Sequence, residues 1–108
     1  RTQSFATTNS LSDMWVLRST DKSIHRTLRI NPGTTKTLGR GLQTDFVIDA
    51  PLVSRVHCNL SASANGLEVE DLGSTNGTFV NNQRVQRSSL RDGDHLKLGR
   101  LVLSVSEE

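Results

Sequence analysis

The sequence predicts an all-β fold, a sandwich of two antiparallel-rich sheets. Three observations predict it. Apolar residues recur in short runs, many of them with strict alternation; turn signals separate the runs; and no stretch carries a helical period. The 108 residues and 33% hydrophobic content suit one domain with one modest core.

Residues 1–13 are rich in Ser and Thr, with Phe5 and Leu11 as the large apolar residues, and are expected to form a flexible tail. The domain is expected over 14–105, with 106–108 frayed. Met14–Arg18 opens it as a strand, and Thr20–Ser23 turns the chain. In Arg26–Ile30, alternation puts Leu28 and Ile30 on one face. Asn31-Pro32-Gly33 is a turn, and Thr35–Gly39 is the third strand. A loop, Arg40–Asp45, leads to the short strand Phe46–Ile48. A second loop, Asp49–Arg55, leads to Val56–Ala62. Ala64-Asn65-Gly66 is a hairpin turn into the alternating run Leu67–Leu72. The polar loop Gly73–Gly77 precedes Thr78–Val80. Asn81-Asn82 then turns the chain into Gln83–Val85, because Asn tolerates positive φ. Asp92-Gly93-Asp94 is a further turn, and His95–Leu98 and Leu101–Val105 close the domain around Gly99-Arg100.

Composition excludes several functions. No apolar run reaches membrane-spanning length and no leader pattern is visible, so a soluble, intracellular chain with no membrane partner is expected. The single Cys58 rules out an internal disulfide and a cysteine-based metal cluster, and suits a reducing compartment. Net charge is +2, the ten arginines are scattered and aromatics are 4%, which does not fit a nucleic-acid surface. Catalysis is not expected. There is no acid/base pair at a credible spacing, no Gly-x-Ser-x-Gly turn, and Gly39-Arg40-Gly41 lacks the lysine and helix of a phosphate-binding nucleotide loop. His57 and Cys58, adjacent on a strand, face opposite sides and do not converge on a metal. No cofactor or metal is expected.

The three loops Arg40–Asp45, Asp49–Arg55 and Gly73–Thr78 each follow a strand, and loops at one end of a sandwich can converge. Guanidinium groups, hydroxyls and backbone N–H groups gathered there make an anion site, for which a phosphate ester is the natural occupant.

Four blocks at suitable spacing carry a specific resemblance: Leu38-Gly39-Arg40; Val53-Ser54-Arg55-Val56-His57; Asp71 through Asn81; and Leu90-Arg91-Asp92-Gly93-Asp94 with Leu98-Gly99. From about Met14 to Val105 the chain resembles the forkhead-associated (FHA) domain. The resemblance implies a sandwich of about eleven strands with a phosphothreonine-peptide site at one end. By position it implies that Arg40 grips the phosphate, Ser54 donates its hydroxyl to it and Arg55 touches it. Thr75 would lie beside the phosphothreonine, and Asn76 would hold the peptide backbone with help from Asn81. His57 would brace the loops, and Gly39, Gly73 and Gly77 would shape them. Leu52 lies where some members read the third residue after the phosphothreonine, and a leucine there argues against acidic selection through that contact.

The expected function is a phosphothreonine-dependent interaction module in kinase or DNA-damage signalling, nuclear if eukaryotic. A phospho-independent scaffold or self-association domain is the alternative. Thr2-Gln3 resembles the Thr-Gln sites of DNA-damage kinases, so the tail is a candidate for phospho-dependent self-association of the kind seen in checkpoint kinases.

Overall fold

Eleven strands and no helix make up the described part of the computed structural model, which covers residues 14–21 and 25–108. The expected tail, 1–13, lies outside the described residues. The strands are β1 (Trp15–Ser19), β2 (Thr27–Ile30), β3 (Thr35–Gly39), β4 (Phe46–Val47), β5 (Cys58–Ser63), β6 (Gly66–Asp71), β7 (Thr78–Val80), β8 (Gln83–Val85), β9 (Arg87–Leu90), β10 (His95–Leu98) and β11 (Leu101–Glu107). One sheet runs β2-β1-β11-β10-β7-β8 and the other β4-β3-β5-β6-β9.

Alternation explains the strands. In β6, Leu67 and Val69 are buried while Glu68 and Glu70 are half-buried on the outer face. In β10 and β11, Leu96, Leu98, Leu101, Leu103 and Val105 point inward. They meet Leu38, Leu60, Leu67 and Val69 from the opposite sheet in one core. Burying such a side chain contributes roughly 1.5–3 kcal/mol.

Several boundaries differ from expectation: β4 ends at Val47 rather than Ile48, β5 runs Cys58–Ser63 rather than from Val56, and β6 runs Gly66–Asp71. The last residues are paired rather than frayed: β11 continues to Glu107, and beyond it Glu108 and Met14 exchange backbone hydrogen bonds at 2.7 and 3.0 Å. Strand β9 is not evident in the sequence, because in Arg87-Ser88-Ser89-Leu90 the one apolar residue is Leu90. Its ladder to β6 and the bridges from Arg87 to Glu68 and Glu70 hold it in place. The Asn81-Asn82 turn is as expected, with φ of 50° and 69°.

Register fixes where the loops emerge. Cys58, the first residue of β5, pairs with Leu38 near the end of β3 and with Asp71 at the end of β6. The β4 strand runs parallel to β3, with Gly39 opposite Val47. The β3–β4, β4–β5 and β6–β7 loops therefore leave the sandwich at the same end. The Gly99-Arg100 turn joins them, since Leu98 pairs with Thr78 at the start of β7.

Replacing Leu103 with alanine is expected to cost about 3 kcal/mol, because its side chain is fully buried between the sheets. Urea unfolding of the two proteins measures this directly.

Candidate functional site

Residues 40–41 run alongside 54–55: Arg40 N–H donates to the Ser54 carbonyl and Gly41 N–H to the Arg55 carbonyl, both at 2.9 Å. This approach requires Gly39. A Cβ there would collide with the Arg55 carbonyl group, so any side chain would force the two segments apart. Thr44, buried within the β3–β4 loop, donates its hydroxyl to the Gly41 carbonyl at 2.7 Å and closes that loop.

Arg40 is fixed by one end and free at the other. Its Nε–H donates to the Val53 carbonyl at 2.7 Å. A guanidinium has five N–H donors, so the four on its terminal nitrogens remain uncommitted to described residues. Ser54 is held similarly. Its Oγ accepts the Thr75 N–H at 3.0 Å, and the hydroxyl proton stays available as a donor. Arg55, exposed, and Thr75, also exposed, carry side chains with no hydrogen bond to a described residue. Asn76 donates one amide N–H to the Leu52 carbonyl at 3.0 Å, which leaves its second N–H and its carbonyl oxygen facing solvent. Leu52 itself adopts φ of 71°, uncommon for leucine, which exposes half of its side chain.

His57 ties the loops together. Its Nδ1 accepts the Ser54 N–H at 3.0 Å and its Nε2 lies 2.9 Å from the Gly77 carbonyl; with Nδ1 accepting, Nε2 carries the proton and donates. Its own backbone bonds Leu38 and Leu72 at 2.8 and 2.9 Å. One fully buried side chain thus links the β4–β5 and β6–β7 loops, as expected for a bracing residue. It precedes β5 rather than lying within it, and both His57 and Cys58 are buried. Burial, reinforced by the charge of Asp71, pushes the Cys58 thiol up to about 12, which makes it unreactive.

Asp71 is the site residue that the sequence reading missed. Its carboxylate accepts the N–H groups of Gly73 and Ser74, both at 3.1 Å, and the hydroxyls of Ser74 and Thr78, the latter at 2.7 Å. The Ser74 oxygen in turn accepts the Gly77 N–H at 3.0 Å. Burial alone would raise the Asp71 pKa, but the hydroxyl bonds from Ser74 and Thr78 and the two backbone amides outweigh it and hold the carboxyl below its ordinary value. Gly73 and Gly77, with φ of 76° and 92°, supply the left-handed turns that bend the loop around this carboxylate. An Asp preceding a Gly-Ser run was the available signal, since short acidic side chains bond backbone two residues on.

Arg40, Ser54, Arg55, Thr75 and Asn76 are thus brought to one rim. Asn81 is not among them. It lies at the far end of β7 from Gly77, a separation of roughly 10 Å for three strand residues. One amide N–H donates to Asp94 at 3.0 Å and the carbonyl oxygen accepts the His95 N–H at 2.9 Å, which fixes the turn into β8 against β10 and orients the side chain there. The rim presents its donors on exposed side chains, those of Arg40, Arg55, Thr75 and Asn76. A groove of about 540 Å³ lies instead at the opposite end, around Trp15 and the β5–β6 hairpin. Among the described residues no cluster of His, Cys, Asp or Glu could hold a metal, and no helix is long and apolar enough to cross a membrane.

Fold and rim together define a β-sandwich module with an anion-accepting edge. The chain belongs to the FHA domain family, whose profile matches residues 36–99. FHA domains are non-catalytic interaction modules, and this domain is one. It is 42% identical over 72 residues to the ABC transporter ATP-binding/permease protein Rv1747 of Mycobacterium tuberculosis, covering 67% of this chain and 8% of that protein. It is 36% identical over 69 residues to the oxoglutarate dehydrogenase inhibitor of Corynebacterium efficiens, covering 64% of this chain and 49% of that one. The chain therefore matches half or less of these relatives' length. Among solved structures, a domain from a study of phosphothreonine-dependent FHA domain interactions superposes with a TM-score of 0.80 at 35% identity, covering 88% of this chain and 97% of that one. The FhaA FHA domain complexed with the intracellular domain of Rv3910 superposes at 0.76 and 35% identity, covering 84% and 98%.

Asp71→Ala is expected to destabilise the domain by about 3 kcal/mol, since it leaves buried donors without an acceptor. Asp71→Asn costs less but still destabilises, because its NH2 faces donors. The folded pKa is depressed, so the carboxylate's contribution is full above the unfolded value of about 4 and fades as pH falls through the folded value. Chemical denaturation at pH 7 and pH 3 should show the gap between wild type and Asp71→Asn narrowing in acid.

Proposed function

We propose that the domain binds phosphothreonine-containing segments of partner proteins, with Arg40, Ser54 and Arg55 holding the phosphate, Thr75 beside the phosphothreonine and Asn76 holding the peptide backbone. The observation that carries this reading is the set of uncommitted donors on one rim. The free end of Arg40 and the hydroxyl proton of Ser54 are supplied by segments that pair through their backbones. A phosphothreonine near pH 7 carries roughly −1.5 to −2 charges and three acceptor oxygens, which this donor set matches. The similar solved domains, one from a study of phosphothreonine-dependent FHA domain interactions and one in complex with the intracellular domain of Rv3910, support the same reading.

The relatives are a transporter protein and a metabolic-enzyme inhibitor, both bacterial, and the inhibitor favours a regulatory setting for the domain. They give no support to the nuclear, checkpoint or DNA-damage setting. Thr2 lies outside the described residues; a peptide of residues 1–13 phosphorylated on Thr2 is one candidate ligand, and absence of binding ends the self-association reading.

Arg40→Ala is expected to fold normally and to weaken phosphopeptide binding about 10²-fold, since a charge-assisted hydrogen bond contributes about 1.5–3 kcal/mol and at least one is lost. Calorimetry with matched phosphorylated and unphosphorylated peptides checks this, and equal affinity for the two would favour the phospho-independent scaffold. Binding should also weaken below about pH 6, where the phosphate takes up its second proton. A titration that stays flat from pH 7.5 to 5.5 contradicts a dianion-gripping site.

A further inference from the structure

The outward face of the six-stranded sheet presents a cationic row beneath the rim. Phe79 on β7 lies opposite Lys97 of β10 on one side and Arg84 of β8 on the other. The Lys97 ammonium stands 5.5 Å from the centre of the Phe79 ring, within cation–π range. Arg84 reaches back toward the rim and lies over the backbone of Gly77. A Cβ at Gly77 would stand 2.7 Å from its Nε and 3.1 Å from its Cζ. Gly77 adopts φ of 92° and has no side chain, and that gap accommodates the guanidinium.

Arg84 is exposed and forms no hydrogen bond or ion pair with a described residue. Two other sheet-face arginines are paired, Arg18 with Glu108 and Arg87 with Glu68 and Glu70, whereas exposed Arg29 on β2 resembles Arg84 in forming no hydrogen bond or ion pair with a described residue. Arg84 is therefore a guanidinium held against the β6–β7 loop, directly after Asn76, with its fork open.

Resting on the phosphothreonine reading, we infer that Arg84 contacts an acidic side chain of the bound peptide within two residues of the phosphothreonine. Asn76 is the backbone-holding residue of that reading, and Arg84 covers its immediate neighbour. An extended peptide advances about 3.3 Å per residue, so a side chain one or two steps from the held backbone comes within reach of a guanidinium over Gly77. The planar fork of arginine matches a carboxylate with two parallel bonds. Lys97 adds potential of the same sign and gives Arg84 no acidic partner within the row. The preference is distinct from any set by Leu52, which offers no charge to the third position after the phosphothreonine.

The experiment uses phosphothreonine peptides with alanine at the two positions on either side, four versions in which one of those alanines becomes aspartate, and four in which it becomes lysine. Calorimetry at low salt compares wild type, Arg84→Gln and Arg84→Glu. The expected result is one position at which aspartate strengthens wild-type binding about 3- to 5-fold, the range of an exposed ion pair. That gain disappears in Arg84→Gln, and in Arg84→Glu lysine at that position replaces aspartate as the preferred residue. The inference is overturned if aspartate gives no gain at any position, or if the gain persists in Arg84→Gln. It is also overturned if Arg84→Gln abolishes binding of every peptide, since Arg84 would then belong to the phosphate grip. Wild-type binding of the all-alanine phosphopeptide separates the two readings. If it binds and aspartate adds nothing, the acidic contact alone fails; if no phosphopeptide binds, both fail.

Discussion

A carboxylate taken out of water at the end of a strand must find donors, and Asp71 finds them in the loop that it launches. Two backbone amides and two hydroxyls converge on it from Gly73, Ser74 and Thr78. Ser74 passes the constraint on by accepting the Gly77 N–H. The loop thus wraps around a fixed charge, and its remaining residues, Thr75 and Asn76, point outward because Ser74 and Thr78 point in. This interaction converts a run of small polar residues, unable to form a core, into a defined surface. His57 does the same between loops, joining Ser54 to Gly77 from a fully buried position.

Positioning and availability are divided within single side chains. Arg40 uses Nε to lock its orientation on Val53, Ser54 uses its oxygen lone pair on Thr75, and Asn76 uses one amide hydrogen on Leu52. Each keeps a donor for a ligand. A side chain ordered before binding loses less conformational entropy when the ligand arrives. Such a rim suits an extended, charged chain segment, which needs directed donors rather than an enclosing cavity.

Much of this was legible in the sequence. Period-two alternation marked β6, β10 and β11, since each has one face in the core. The four motif blocks located Arg40, Ser54, Arg55, Thr75 and Asn76, because their types and spacing are set by the rim itself. What escaped depends on cross-chain geometry. β9 carries one inward apolar residue and is held by its neighbour's backbone, so it has no pattern of its own. The chain end looked polar and frayed, yet it pairs with Met14, nearly the whole sequence away. Asn81 has the right residue type for peptide contact, but its amide is engaged at the other end of a strand. The approach of Arg84 to Gly77 follows from strand pairing between β7 and β8, which no local motif encodes.

The central claim is that phosphothreonine recognition occurs at the rim formed by these loops. Two-dimensional NMR of the isotopically labelled domain, titrated with a phosphothreonine peptide and with its unphosphorylated twin, tests it most directly. The account predicts that the phosphopeptide moves the amide signals of residues 40–41, 54–55 and 75–77 together, while the unphosphorylated peptide leaves them in place. Shifts concentrated elsewhere on the sandwich, or the same shifts from both peptides, would contradict it.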